Sequence, residues 1–207
     1  MSAIIFDFDG TISDSFDFIV NLMAEAANQS PPTAVQRRQY RGMSMFAIGR
    51  SYGHSWLKLL RLFIKGRKQM GLQMRKTIHP YKGMPELIKT LNEEGHQLYI
   101  LTSNTVYNVR LFLKHHELKT YFLQTYGSIS VFGKAPALRR LLKSNHLDIN
   151  DAVYVGDELR DVQAAKSLNL RVVAVTWGFT RPEALIEARP TAVAHSPQEL
   201  LKILEEM

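Results

Sequence analysis

The sequence predicts an α/β protein: a parallel sheet covered by helices on both faces, with an all-helical segment inserted close to its start. Three observations point there. From residue 79 onward, short β-rich runs alternate with amphipathic helical stretches, the pattern of βαβ units. Near the N-terminus, Ile4, Ile5 and Phe6 form an apolar run ending on Asp7-Phe8-Asp9-Gly10-Thr11, which reads as a buried strand that stops at two acids and a turn. Residues 15–78 carry helical spacing and no strand pattern. A chain of 207 residues is long enough for one sizeable core, or for a core with a small inserted domain.

Each element has its own warrant. Ser13, Asp14 and Ser15 offer cap chemistry ahead of a helix over Phe16–Ala27, where Phe16, Ile19, Val20, Met23 and Ala27 recur at helical spacing. Ser30-Pro31-Pro32 breaks it, and Thr33 is placed to cap a second helix through Arg41. Gly42 and Gly53 punctuate the next stretch. A longer helix is expected over His54–Met74, with Trp56, Leu59, Leu60, Phe63 and Ile64 on one side and Lys58, Arg61, Lys65, Arg67 and Lys68 on the other; Gly66 and Gly71 weaken its later turns. Beyond the break at His79–Gly83, Pro85 suits a first helical turn, and that helix stops at Gly95. Strands are then expected over Gln97–Leu101, Tyr121–Tyr126 (the weakest), Ala152–Val155, Arg171–Thr176 and Ala192–Ala194. Between and after them come helices over Val106–His116, up to Asn145, over Leu159–Leu168, near Glu183 and from Pro197; a loop through Gly127, Gly133, Lys134 and Pro136 leads into the one ending at Asn145.

Composition narrows the classes. There is no cysteine, which excludes disulfides, thiolate metal sites and a cysteine nucleophile. No run approaches the roughly 18 apolar residues of a membrane span, and the N-terminus has no signal-peptide pattern, so a cytoplasmic protein is expected. The net charge of +7 is unevenly placed. Residues 28–84 hold twelve Lys or Arg and no Asp or Glu, leaving the remainder with fourteen basic and nineteen acidic residues. Such a block is either a module that meets something anionic or a solvated helical face.

Parallel crossovers bring the C-terminal ends of all strands to one edge of the sheet, where ligands bind near the point at which strand order reverses. The predicted strands end there in Asp7-Phe8-Asp9, Thr102-Ser103-Asn104 and Gly156-Asp157-Glu158, with Lys134 opening an intervening helix. Buried carboxylates are costly without a partner. Hard oxygen donors with few carboxylates suit Mg²⁺, which shares its remaining positions with water and substrate phosphate. A lysine and a hydroxyl beside exposed backbone N–H groups suit a phosphoryl group.

These four segments, in this order, resemble the motifs of the haloacid dehalogenase superfamily, and the chain resembles its phosphatases of the phosphoglycolate phosphatase type. Matching stretches run nearly end to end, including Tyr81-Lys82-Gly83 and Thr176-Trp177-Gly178-Phe179. The resemblance implies a Rossmann-like, three-layer parallel-sheet core, residues 1–14 and 79–207, with a helical, strongly basic cap at 15–78. It also implies a Mg²⁺-dependent phosphatase acting on a small phosphorylated metabolite, phosphoglycolate first. Asp7 is then the nucleophile that forms an aspartyl-phosphate, and Asp9 the general acid/base whose backbone carbonyl also ligates the metal. Thr102, Ser103 and Asn104 bind the phosphoryl group, Lys134 neutralises it and the nucleophile, and Asp157 ligates Mg²⁺. Asp161 orients Lys134 or a metal-bound water, with Glu158 behind. Arg41, Gly42 and Arg50 are the cap's substrate candidates, with Lys58 beside them, and Ser13–Phe16 with His79–Gly83 the hinges.

Plainer roles stand beside these. Asp7 and Asp9 could belong to a turn, but not to an EF-hand loop, since Gly10 comes too early and Phe18 occupies the twelfth place. Asp157 and Thr102 could each cap a helix, and Lys134 alone could be a surface lysine. His54, His79, His115 and His116 read as structural, and Trp177 as packing beside the site. Dehalogenase and phosphonate chemistry are disfavoured by the acid at Asp9, and Gly10-Thr11 looks more like the hydrolases than the mutases. The rival class is a protein binding nucleic acid or an anionic membrane through its basic block; a nucleotide or nucleic-acid-end phosphatase lies between the two.

Overall fold

The computed structural model describes residues 2–43, 45–55, 58, 61, 71, 77–128 and 133–207. Among them, six strands form one parallel sheet: β1 (Ala3–Phe6), β2 (Gln97–Leu101), β3 (Phe122–Tyr126), β4 (Ala152–Gly156), β5 (Arg171–Val175) and β6 (Ala192–Ala194). Their order is β3-β2-β1-β4-β5-β6. β1 therefore lies centrally, with Phe6 beside Ile100 of β2 on one flank and Val155 of β4 on the other. The order reverses at this strand, and Asp7 leaves its end.

Alternation along the strands explains the three layers. Ile4 and Phe6, Leu98 and Ile100, Val153 and Val155 face one way, against α4 (Met84–Glu93), α5 (Val106–His115) and α9 (Pro197–Glu205). Ala3 and Ile5, Tyr99 and Leu101, Ala152 and Tyr154 face the other way, against α6 (Lys134–Ser144), α7 (Leu159–Lys166) and α8 (Pro182–Glu187). Strands buried on both faces read as continuous apolar runs, which is why β1, β4 and β5 are plain in the sequence. The edge strand β3 is half exposed and is introduced by a 3₁₀ turn at Lys119–Tyr121.

The inserted segment holds α1 (Phe16–Ala26), α2 (Ala34–Tyr40) and α3 (Met45–Ser51). Thr33 caps α2 as expected, in a reciprocal box with Gln36. The spacing of apolar residues does not predict α3, although Gly42 and Gly53, both left-handed, bracket it. Phe16, Val20, Met23, Tyr40, Ile48 and Tyr52 form a separate small core that reaches the rest of the molecule through Phe179. Arg37 ties α2 to α1 through Asp17 at 2.6 Å and Asn21 at 2.9 Å. The helix expected over His54–Met74 falls mostly outside the described residues, including Trp56, Leu59, Leu60, Phe63, Ile64, Lys65, Gly66, Arg67 and Lys68. Lys58, Arg61 and Gly71 are helical; His54 and Ser55 are not, and His54 Nε2 instead meets Met23 O at 3.0 Å.

Two connections join the segment to the sheet, and they pair with each other. Asp14 N donates to His79 O at 2.9 Å, Tyr81 N to Ile12 O at 3.0 Å, and Ser13 bridges Pro80 in antiparallel fashion. Lys134 opens α6 as expected, and Pro136 lies in its first turn rather than in the loop before it, a position that tolerates proline.

Candidate active site

Asp7 continues the β1 ladder by one bond, its N donating to Val155 O at 2.8 Å. The chain then turns tightly. The amides of Ile12 and Ser13 both reach Phe8 O at 2.9 Å, while Phe8 is anchored edge-on against Phe112 at 5.0 Å. Gly10 sits at φ 85°, and a Cβ there would run into the Asp157 carboxylate, so this close approach needs glycine.

Lys134 Nζ, at the start of α6, donates to Asp7 Oδ2 at 2.7 Å and also to Asp161 Oδ1. Asp161 Oδ2 accepts the Glu158 amide at 3.0 Å, which pins the first turn of α7. Asp157 sits at the end of β4, its Oδ1 accepting from Thr11 Oγ1 at 2.9 Å and its Oδ2 from Phe179 N at 2.7 Å. Asp7, Asp157, Asp161 and Lys134 are each 3% exposed or less, so their charges are settled by one another rather than by water. Asp7, Asp157 and Asp161 each offer an oxygen within 4.8 Å of the others.

The pKa shifts arise first from burial and then from the neighbouring charges. Burial pushes the Asp7 carboxyl up to about 7, against the opposing pull of Lys134. Burial raises Asp157 well above the usual range, and Glu158, Asp7 and Asp161 add to it. Lys134 loses by burial but gains more from Asp161 and Asp7, and its pKa rises. This is the donor set a hard divalent cation requires: oxygen only, buried and overloaded with negative charge. The residues present therefore fit Mg²⁺.

These shifts make stability depend on pH. Native Asp7 keeps its proton to about pH 7, whereas an unfolded aspartate releases it near 3.8. The native state thus binds more protons between those values, and stability falls as pH rises through that window; Asp9 and Asp157 are shifted in the same direction. Lys134, raised above 10.5, loses its contribution only at more alkaline pH. The thermal midpoint in chelator should fall between about pH 5 and about pH 8, and Mg²⁺ should flatten the slope. A midpoint that rises across this range in chelator contradicts the assignment.

Asp9 is held by other partners. Its Oδ1 accepts from Ser15 Oγ at 2.8 Å and Ser13 Oγ at 3.4 Å, and its Oδ2 from Asn104 Nδ2 at 2.9 Å. Its pKa is raised by burial against those hydrogen bonds. Its carboxylate is not among the three oxygens gathered around Asp7. Of the three residues offering turn or cap chemistry ahead of α1, Ser15 stands at the cap position but makes no side-chain cap bond, its hydroxyl donating to Asp9 instead.

Thr102 follows the last residue of β2 on the other flank of Asp7, its Oγ1 accepting from Asn104 N at 3.0 Å and its N donating to Tyr126 O at 2.9 Å. Thr105, not Thr102, caps the following helix. Likewise the cap of α7 is Glu158, not Asp157. Asn104 serves Asp9 and its own loop, donating to Asp9 and accepting from Asn108 Nδ2 at 2.9 Å. Sequence reasoning missed Arg160. Its guanidinium pairs with Glu158 at 2.6 Å and donates to Ser103 Oγ at 3.2 Å, tying the β2 and β4 loops together; only its position beside Asp161 in the motif could have signalled it. The contacts of Thr11, Ser13 and Ser15 with the acids carry no sequence signal either. Arg41 lies at the end of α2 with its guanidinium on the carbonyls of Trp177 and Gly178, and Gly42 N meets Phe179 O. Arg50 is exposed on the last turn of α3, and none of its described contacts joins the acids. Among the described residues no helix is long and apolar enough to cross a membrane.

Known proteins resemble this chain along its length. The sequence model of the haloacid dehalogenase-like hydrolases matches residues 4–175. The chain is 32% identical to the phosphoglycolate phosphatase of Synechococcus elongatus, across 100% of this chain and 99% of that protein. It is 24% identical to a 5'-nucleotidase of Pseudomonas aeruginosa, across 98% and 95%. The crystal structure of a predicted phosphatase from Clostridium acetobutylicum superposes with a TM-score of 0.84 at 24% identity, covering 100% of this chain and 99% of that one, which shows the shared fold. The chain belongs to the haloacid dehalogenase-like hydrolase family, as an enzyme similar to its phosphatases.

Proposed function

We propose that this enzyme hydrolyses a small phosphomonoester, with phosphoglycolate the first candidate, through an aspartyl-phosphate on Asp7. The observation that carries this is the division of the acids. Asp7 is gripped by Lys134 at the end of the central strand, whereas Asp9 is held apart by Ser15 and Asn104. One carboxylate is thereby kept as a nucleophile and the other as a proton carrier.

In this mechanism a carboxylate oxygen of Asp7 attacks phosphorus, and the leaving oxygen takes its proton from Asp9. Asp9 then accepts a proton from water, which attacks the same phosphorus and returns Asp7. Lys134 holds Asp7 in line and offsets charge on the transferred oxygens, while Asp161 orients Lys134. Thr102 and the Ser103 loop receive the phosphoryl group, with Arg160 fixing that loop through Ser103. Mg²⁺, when bound, supplies positive charge that neutralises phosphoryl oxygens. Asp7, Asp157 and the Asp9 carbonyl would hold it, with Asp161 within reach.

Residues 1–14 and 79–207 are the core in this mechanism, and 15–78 a cap that opens about the hinges Ser13–Phe16 and His79–Gly83, which the backbone bonds Asp14 N to His79 O and Tyr81 N to Ile12 O hold together. Its basic residues draw an anionic substrate into the cleft, and the cap sets which one is accepted. The 5'-nucleotidase among the relatives keeps nucleotides as the second candidate class.

A panel of phosphorylated metabolites, assayed with and without chelator, tests this. Turnover of a small phosphomonoester that stops on removal of Mg²⁺ is expected. Metal-independent turnover contradicts the metal role. Salt-sensitive nucleic-acid binding with no turnover of any ester favours the rival class.

A further inference from the structure

The loop that holds Asp157 from behind is itself held by the helical segment. Phe179 N donates to Asp157 Oδ2 at 2.7 Å, and the carbonyl of the same residue accepts from Gly42 N at 2.7 Å. A single residue therefore separates this buried acid from the turn between α2 and α3. Arg41 reinforces the contact: its Nη1 donates to Gly178 O at 2.9 Å and Trp177 O at 3.4 Å. The guanidinium also lies 4.5 Å from the centre of the Phe16 ring, which packs at 5.6 Å on Phe179. On the opposite side Trp177 Nε1 donates to Thr11 O at 3.0 Å, and the Thr11 hydroxyl donates to the other oxygen of Asp157 at 2.9 Å. Gly178 leaves no slack, since a Cβ there would run into Asp157. Residues 177–179 form a wedge with the helical segment on one face and Asp157 on the other.

We propose that Arg41 is a positioning residue that couples seating of the cap on this wedge to the placement of Asp157, and through it to affinity for the divalent metal. Both oxygens of Asp157 take hydrogen bonds from groups the wedge touches, Phe179 N directly and Thr11 through Trp177. A shift of the wedge therefore re-aims the acid. Closely packed contacts of this kind switch between discrete arrangements instead of yielding gradually. Coupling between two binding events is also reciprocal: if cap seating strengthens metal binding, metal binding strengthens cap seating by the same factor. An arginine whose Nη1 is engaged by two carbonyls of one turn holds that turn's shape. This inference rests on the metal-assisted chemistry proposed above, and it gives Arg41 a task other than binding the substrate.

The test titrates Mg²⁺ without substrate into the wild type, Arg41→Met and Arg41→Ala, read by thermal midpoint and by hydrogen exchange at the Gly42 amide. Methionine keeps an unbranched stem against Phe16 and removes the donors. The Mg²⁺ concentration giving half the stabilisation should rise roughly tenfold in Arg41→Met, within the usual range for coupled sites. A merely structural arginine lowers the midpoint by the same amount with and without metal. In the wild type Mg²⁺ should slow exchange at Gly42, and Arg41→Met should remove that effect. If the variants fold poorly, the wild-type exchange decides, and no response at Gly42 overturns the coupling. Unchanged Mg²⁺ dependence in Arg41→Met overturns it too, as does a raised KM with unaltered metal dependence, which makes Arg41 a substrate ligand. A wild type stabilised by Mg²⁺ while Arg41→Met behaves identically removes the coupling alone; no Mg²⁺ response in the wild type removes the metal role with it.

Discussion

Replacing Asp7 by asparagine is expected to abolish turnover, by at least about 10⁴-fold, while leaving the fold intact. The amide has the shape of the carboxyl but cannot form the acyl-phosphate, so the covalent route closes and what remains is phosphate binding alone. The structural consequence should run opposite to the catalytic one. Burial pushes the Asp7 pKa up to about 7, with Asp161 adding to it against the pull of Lys134. Removing the buried negative charge relieves that cost, and Lys134 keeps Asp161 as its partner. The thermal midpoint in chelator should not fall, and Mg²⁺ should raise it less than in the wild type. Retained turnover of an ester that the wild type hydrolyses sinks the nucleophile assignment.

Lys134→Met should be costly on both counts. It removes the cation that bridges Asp7 and Asp161, leaving two buried carboxylates without it. Breaking a buried pair from one side costs roughly 3–5 kcal/mol, much of it the penalty of the charges left behind. Turnover should fall by about 10³-fold, since a preorganised donor near the transferred oxygens is lost. The stability loss should shrink toward pH 5, where Asp7 carries a proton in the native state. It should also shrink in the double variant Lys134→Met with Asp7→Asn, because residues in one network do not act additively. Chemical denaturation of the single and double variants at two pH values checks this. A loss in Lys134→Met that is independent of pH, and simply additive with Asp7→Asn, contradicts the network.

How much of the fold and site is legible in the sequence depends on range. β1, β4 and β5 are buried on both faces, so their apolar runs announce them, and Asp7 and Asp157 can be placed at one edge because parallel strands end together. β3 is weak because an edge strand is half exposed and lacks that signal. Thr33 capping α2 is local chemistry and legible; Ser15 obeys the same local rule but is diverted to Asp9 by the fold. The remaining contacts join distant residues: Thr11 reaches Asp157 across 146 positions, and Trp177 reaches Thr11 across 166. No periodicity encodes such pairs. Arg41 illustrates the limit, since charge and position suggest a substrate contact, and only its carbonyl partners 136 and 137 residues away define its place.

In the mechanism proposed above, Asp7 carries the phosphoryl group in turnover. The most direct measurement is rapid acid quench of the wild type with a ³²P-labelled ester that it hydrolyses, followed by peptide mapping. The mechanism predicts label on the peptide containing Asp7, formed and lost within the turnover time and absent from Asp7→Asn. Full turnover with no labelled protein, or label on any other residue, contradicts it.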